Sequence, residues 1–260
     1  MGTLDLFRLD GKRALVTGAS RGLGRSMALA LADAGADVVI TGRTQETLDA
    51  TAGEIEARGR QAWTVKVDMA VPAECEKACA RILAERDPID ILINNVGNRT
   101  AGTPIQAESI DSWQQMMDLN LTSCVVATRL AGSAMLARGM GGRIINISSI
   151  SAFVANRDTG GRAYETSKAA LMHFTRSAAA DWAPHGITVN AICPGLFMTD
   201  ANKAWNARRP DVIQTFVRNV PMGRTGEPDE IGPLAVYLAS PASSYVTGAA
   251  YVIDGGYTLW

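Results

Sequence analysis

The apolar positions of the chain fall into short runs rich in Val, Ile and Leu, each followed by a longer stretch with helical spacing. "RALVTG" leads through Gly-rich sequence into "RSMALALADAGA", "DVVIT" into "TQETLDATAGEIEARG", and "QAWTVKVD" into "PAECEKACARILAER". The order repeats with "IDILINN" before "DSWQQMMDLNLTSCVVATRLAGSAMLARG" and "GRIINISS" before "AYETSKAALMHFTRSAAADWA". "ITVNAICPG" then precedes a more polar stretch, and a last helix, "PDEIGPLAVYLAS", leads to "AAYVID". The strands seldom alternate apolar with polar residues, as expected when helices cover both faces of a sheet. Regular strand–helix alternation predicts an α/β fold with a doubly wound parallel sheet. From about Leu196 to Gly226 charge and two prolines interrupt the rhythm. This segment is expected to run over the carboxyl edge of the sheet, where ligands bind in such folds.

No linker or shift of composition divides the 260 residues, which predicts one domain. With 47% hydrophobic and 20% charged residues the balance is that of an ordinary soluble protein. A net charge of −1 offers nothing to attract nucleic acid or an acidic membrane surface. No uninterrupted apolar run reaches the ~18–20 residues of a membrane span. "MGTLDLFRLDGKR" lacks the apolar core of a signal peptide, so a cytoplasmic location is expected. Cys75, Cys79, Cys124 and Cys193 are too few and too scattered for a disulfide framework. With only His173 and His185 beside them, no metal site is predicted.

"TGASRGLG" follows the first strand and opens the first helix, with Gly18, Gly22 and Gly24. Glycines serve where a chain turns sharply and where backbone must approach a pyrophosphate closely. The N–H groups of the helix's first turn would then meet the phosphate charge. Three glycines can also make a plain strand-to-helix turn. Placement inside a strand–helix–strand unit favours the phosphate reading.

"AYETSKAA" at 163–170 places Tyr164 and Lys168 one helical turn apart on one face. A phenol near ~10 is a poor proton donor at neutral pH, and a cation within about 4–6 Å favours its ionised form. The pair can therefore bring a tyrosine into the range that acid–base catalysis needs. Ser149 ends the fifth strand, in "ISSIS", where Ser148 and Ser151 are its competitors. Counting from "GRI" selects Ser149, and alternation agrees only if Ser148 points to the opposite face. Asn120 is an odd choice inside a helix, where asparagine competes with backbone hydrogen bonds.

The Gly-x-x-x-Gly-x-Gly turn and "AYETSKAA" together resemble the short-chain dehydrogenase/reductase family. The resemblance runs from Gly11 to Gly256 and takes in "NNVG" at 94–97, "NISS" at 146–149, Asn120, "CPG" at 193–195 and "DGG" at 254–256. The family's common "NNAG" is "NNVG" here, and the segment between Ser149 and Tyr164, carrying "NRDTGGR", is about two residues longer than usual. The resemblance implies a seven-stranded Rossmann sheet with helices on both faces and an NAD(P)-dependent oxidoreductase acting on CH–OH groups. It implies a catalytic tetrad of Asn120, Ser149, Tyr164 and Lys168. Ser149 would hold the substrate oxygen, Tyr164 would transfer the proton, Lys168 would also hold the nicotinamide ribose, and Asn120 would place a water linking Lys168 to solvent. Cofactor contacts are implied at Gly18, Ser20, Arg21, Gly22, Leu23 and Gly24 in the turn, and at Asn94 and Gly97. Asp68 would bond the adenine edge beside Met69, although it can equally be a helix-starting acid before Pro72. Pro194 and Gly195 would shape the nicotinamide pocket. Thr199 would bond the carboxamide or cap the next helix.

The usual ribose-reading acid lies ~20 residues beyond the glycine turn, at the end of the second strand. Gly42 stands there, followed by Arg43, and Arg21 lies within the turn itself. Loss of the carboxylate and gain of two guanidinium groups suit a 2′-phosphate, so NADP(H) is expected over NAD(H), unless both arginines are solvated loop residues.

The opening "LFRLDGKRALVTG" and closing "DGGYTLW" look most similar to the branch that holds gluconate 5-dehydrogenases and related sugar-acid or polyol oxidoreductases. A 3-oxoacyl-carrier-protein reductase is the alternative. Arg99, Arg157, Arg162 and Lys203 are candidate readers of a carboxylate or of an acidic carrier surface, or else solvated loop charges. A non-catalytic nucleotide-binding regulator would be expected to lose the tyrosine or lysine, and both are kept. Apolar and small residues on the long helices around Asn120 and Tyr164, with the family's habit of pairing them between subunits, predict a homotetramer.

Overall fold

In the computed structural model, residues 2–86, 88–99, 103–155 and 161–259 are described. Seven strands form one sheet: β1 (Arg13–Val16), β2 (Asp37–Gly42), β3 (Ala62–Lys66), β4 (Ile91–Asn94), β5 (Gly142–Ile147), β6 (Ile187–Pro194) and β7 (Ala250–Ile253). All pair in parallel, in the order β3-β2-β1-β4-β5-β6-β7. The order reverses between β1 and β4, and the crevice outside their carboxyl ends is where such sheets take ligands.

The helices are α1 (Gly22–Asp33), α2 (Gln45–Glu56), α3 (Pro72–Arg86), α4 (Ile110–Met117), α5 (Ser123–Arg138), α6 (Arg162–Trp182), α7 (Asp200–Arg208), α8 (Pro210–Arg218) and α9 (Gly232–Ala239). Successive strand residues feed opposite cores. Val16, Ile40 and Ile93 meet Met27 and Leu31 of α1, Leu48 and Ile55 of α2 and Leu238 of α9. Leu15, Val39 and Leu92 meet Cys75 and Ile82 of α3, Ala127 and Met135 of α5 and Ala178 of α6. Both strand faces are thus dry, which explains the missing polar alternation.

Two expectations are refined. The long apolar helix is a continuous helical run, Ile110–Arg138, interrupted by a π turn at Asp118–Thr122. By length and composition that run could cross a bilayer, but it packs against α3 and α6 as a core helix. The excursion after β6 folds into α7 and α8. A parallel bridge from Phe197 to Gly226 closes it, with the Met198 N–H donating to the Gly226 carbonyl at 2.7 Å.

Candidate active site

The glycine turn is held by its neighbours. The Asn95 amide donates to the carbonyls of Thr17 and Gly18, both at 3.0 Å, and the Asn95 N–H donates to Thr17 Oγ1 at 3.0 Å. Gly18 and Gly22 take φ of +64° and +58°, in the left-handed region. A Cβ on Gly24 would collide with the Asn95 amide and the Gly18 carbonyl. The chain therefore passes within main-chain contact of itself and leaves a bare cradle. Arg21 precedes α1 in extended conformation, and no side chain caps the helix. The free first-turn N–H groups beside a Cβ-less turn fit a dinucleotide's pyrophosphate.

At the end of β2, a Cβ on Gly42 would lie 3.1 Å from Ser20, which joins this strand end to the turn. Arg43 is exposed, with Nη1 3.9 Å from Asp68 Oδ2, and Asp68 Oδ1 accepts from the Ala70 N–H at 3.0 Å. Arg43 and Asp68 are thus brought together, and Arg21 lies exposed in the same turn as Ser20. The Met69 and Leu23 side chains face the two cores instead. The Asn94 amide is buried in the sheet, donating to Thr128 Oγ1 and to Asn146 Oδ1 at 2.8 Å each, and Asn146 in turn donates to Thr175 Oγ1 at 2.9 Å.

Lys168 is buried, and its Nζ donates to the Ile147 carbonyl at 2.8 Å. The same ammonium lies 5.9 Å from the centroid of the Tyr164 ring. Ser148 donates its hydroxyl to the Lys168 carbonyl at 2.9 Å and its N–H to the Ile192 carbonyl at 2.8 Å, which ties it to α6 and β6. Ser149 leaves the sheet at φ −168°, and its Oγ accepts from the Ser151 N–H at 3.1 Å. The two serines have different partners, and Ser149 is the one at the strand's mouth.

Asn120 sits in the π turn, fully buried. Its Oδ1 accepts from the Asn98 N–H at 3.0 Å, while Nδ2 donates to the carbonyls of Asn98 and Met116 at 3.1 Å each and to Met116 Sδ at 2.7 Å. Gly97 is wedged beside it: a Cβ there would lie 2.8 Å from Asn120 Oδ1 and 2.9 Å from Lys168 Nζ. The turn's loosened carbonyls find other donors, Ser123 Oγ on Leu119 at 2.8 Å and the Cys124 thiol on Asn120 at 3.7 Å.

On the β6 side, Gly195 follows Pro194 and donates its N–H to the Ile253 carbonyl at 2.9 Å. A Cβ on Gly195 would lie 2.8 Å from Asp254 Cβ. Thr199 caps α7, with Oγ1 accepting from the Asn202 N–H at 3.4 Å. Its methyl group also lies 3.5 Å from where a Gly22 Cβ would stand, so it walls the glycine turn.

Residues 18–258 match a family model described as Enoyl-(Acyl carrier protein) reductase. A crystal structure of a short-chain type dehydrogenase/reductase from Mycobacterium marinum superposes with a TM-score of 0.92 at 38% identity, covering 99% of each chain. The chain belongs to the short-chain dehydrogenase/reductase family. It is similar to the galactitol 2-dehydrogenase (L-tagatose-forming) of Cereibacter sphaeroides, 39% identical over 98% of each chain. It is also similar, at 36% identity over 100% of each chain and a TM-score of 0.91, to a gluconate 5-dehydrogenase from Burkholderia cenocepacia J2315 solved with NADP and tartrate. The protein is an NAD(P)-dependent oxidoreductase acting on CH–OH groups.

In this dehydrogenase/reductase, Thr17, Asn95 and Asn98 join the site without having been singled out in the sequence. Asn95 was visible as the second residue of "NNVG", but its grip on the glycine turn follows only from β1 and β4 being neighbours. Of the candidate anion readers, Arg162 pairs with Glu165 at 2.6 Å and Lys203 lies 3.9 Å from Asp200. Arg99 lies over the Tyr164 ring, and Arg157 falls outside the described residues. All four cysteines are free and buried. Among the described residues no cluster of His, Cys, Asp or Glu could hold a metal.

Proposed function

We propose that this enzyme interconverts a secondary alcohol and a ketone with NADP(H), on a small hydroxylated substrate such as a sugar acid or polyol. The observation that carries this reading is the placement of Lys168 Nζ 5.9 Å from the Tyr164 ring centroid, with Ser149 at the adjoining strand mouth. The glycine turn would hold NADPH, which when bound would supply a hydride for the carbonyl carbon. Ser149 donates a hydrogen bond to the carbonyl oxygen, and the Tyr164 phenol delivers the proton to that oxygen. Lys168, held by the Ile147 carbonyl and beside the Tyr164 ring, would hold the nicotinamide ribose. Asn120 fixes the loop that packs against Lys168 and lines the route for proton return. Alcohol oxidation is the same set of transfers reversed.

Gly18, Ser20, Gly22, Gly24, Asn94, Gly97, Pro194, Gly195 and Thr199 line the proposed cofactor path, with Asp68 and Met69 at the adenine end. Asn94, Met69 and Leu23 would contribute through their main chains, since their side chains face the interior. Arg21 and Arg43 flank a strand end without a carboxylate, which favours the 2′-phosphate of NADP(H). Galactitol and gluconate in the names of similar proteins support a polyhydroxylated substrate. Exposed Val252 on the edge strand β7, and Leu259 beyond it, favour assembly into a homotetramer.

Fluorescence titration with NADPH and NADH, repeated on Arg43→Ala, tests the cofactor assignment. Tight NADPH binding that the variant weakens selectively is expected. Equal binding of both cofactors, unchanged by the variant, would refute it. A parallel turnover screen of keto-sugar acids, ketoses and a 3-oxoacyl thioester tests the substrate class, and turnover of the thioester alone would overturn it.

A further inference from the structure

We infer that Tyr257 is a positioning residue: its ring, laid flat on Phe216 of α8, holds the excursion formed by α7 and α8 in place beside the cofactor crevice. The inference rests on the reading of the site given above and adds to it a role for the chain's closing turn, Tyr257–Leu259.

The excursion has little of its own to hold it. Among the described residues α7 buries none of its side chains, and α8 buries only Ile213. Its position therefore comes from the points where it meets the rest of the molecule. At its start, the Thr199 methyl walls Gly22 of the glycine turn, and the Asn202 amide donates to the Phe197 carbonyl at 2.7 Å. Past its end, Met222 donates its N–H to the Gly255 carbonyl at 3.1 Å. Between these ends the rings of Phe216 and Tyr257 stack, with centroids 4.3 Å apart and planes within 5° of parallel.

The Tyr257 side of the stack is a built platform. Asp254 accepts from the Gly256 N–H with Oδ1, and from the N–H and hydroxyl of Thr258 with Oδ2, each at 2.8 Å. Gly255 and Gly256 take φ of +65° and +94°, and a Cβ on them would stand 2.7 Å from Val220 Cγ1 and 2.9 Å from Pro221 Cγ. Only glycine lets the chain turn so close to the return of the excursion. Asp254 also abuts Gly195, which ties the platform to the segment proposed to shape the nicotinamide pocket. Stacked aromatic rings attract one another beyond the area they cover. The closing turn thus carries a flat plate to the outer helix of a segment whose first residue walls the glycine turn. Without the stack, the fraction of molecules with the excursion in place falls, and the apparent affinity for a ligand in the crevice falls with it.

Tyr257→Ala and Phe216→Ala remove the stack from either side, and Tyr257→Phe keeps it. Amide hydrogen exchange of the full chain is expected to quicken about 2–10-fold across residues 200–218 in both alanine variants, and to stay at the wild-type rate in β4 and β5. NADPH, titrated by cofactor fluorescence, should bind both alanine variants about 2–10-fold more weakly. Tyr257→Phe should match the wild type in both measurements. Unchanged exchange in both alanine variants overturns the inference. Faster exchange spread over the whole sheet also overturns it, because that marks lost stability and not lost position. Faster exchange confined to residues 200–218 with unaltered NADPH affinity makes the stack merely structural, and so counts against Tyr257 alone. A wild type that binds no NADPH defeats the cofactor reading itself, and the inference falls with it.

Discussion

The Asn120 side chain pairs with the main chain of Asn98 as one strand pairs with another, accepting from its N–H at 3.0 Å and donating to its carbonyl at 3.1 Å. The π turn makes this possible by turning Asn120 inward from a run that would otherwise continue as α-helix. Asn120→Leu removes both bonds and leaves two backbone groups of Asn98 without these partners. A stability loss of roughly 1–3 kcal/mol follows from such unsatisfied groups. Because Gly97, next in the loop, packs against Lys168, kcat should fall ~10–100-fold as the lysine loses its fixed position. Urea unfolding and steady-state kinetics check the two effects separately.

Adjacent serines should separate structure from chemistry. Ser148 bonds the backbone of Lys168, so Ser148→Ala should cost on the order of 1 kcal/mol in urea unfolding and leave more activity than the neighbouring variant. Ser149 is the residue facing the proposed substrate oxygen. Ser149→Ala should lower kcat ~10²–10³-fold, as loss of one hydrogen bond to a reacting oxygen does, while its stability cost, from the Ser151 N–H that loses its acceptor, stays on the order of the 1 kcal/mol expected at Ser148. The reverse ranking would assign the wrong serine to the site.

Gly24→Ala addresses the cradle. A methyl group there strikes the Asn95 amide and the Gly18 carbonyl, so either the turn opens or Asn95 releases it. Overpacking of this kind costs roughly 1–3 kcal/mol. NADPH affinity should drop about tenfold or more, read by cofactor fluorescence, because the same carbonyls and amide shape the surface proposed to meet the phosphates. Unchanged affinity would place the cofactor elsewhere.

Much of the fold is legible in the sequence, because each signal is local. Strand–helix alternation gave the doubly wound sheet, and the spacings in "TGASRGLG" and "AYETSKAA" gave the turn and the Tyr164–Lys168 pair. Residue counting selects Ser149 as the candidate, and the bonds of Ser148 to the carbonyls of Lys168 and Ile192 are tertiary contacts that counting does not show. What stayed hidden depends on sheet order. Asn95 reaches the glycine turn only because β4 lies beside β1, and Asn98 meets Asn120 only because the loop after β4 crosses a π turn. Asn94 and Met69 matched the family pattern by position, but facing is a property of register and burial that spacing alone does not fix. The arginines divided in the same way: Arg162 has a partner one turn away in sequence, whereas the approach of Arg99 to Tyr164 is a tertiary contact.

Alkaline conditions should find Cys193. This β6 residue is buried behind the serine loop, and burial pushes its thiol from an ordinary 9.0 up to about 11, with hydrogen bonding by Ser148 opposing the shift only in part. Raised pKa in the folded state means that the folded protein holds a proton that the unfolded chain releases. The stability involved is therefore fully present below pH 9.0 and is lost as pH climbs toward about 11. At ~1.4 kcal/mol for each pH unit, the loss over this window is bounded at roughly 3 kcal/mol. Urea midpoints measured across that range should fall in the wild type, and Cys193→Ala should flatten the slope although it lowers stability at neutral pH by emptying a small core volume. A slope identical in the two proteins would place the alkaline sensitivity in another group. At pH 8 the folded protein should leave all four buried thiols slow toward a thiolate-specific reagent, and unfolding in urea should expose all four at once.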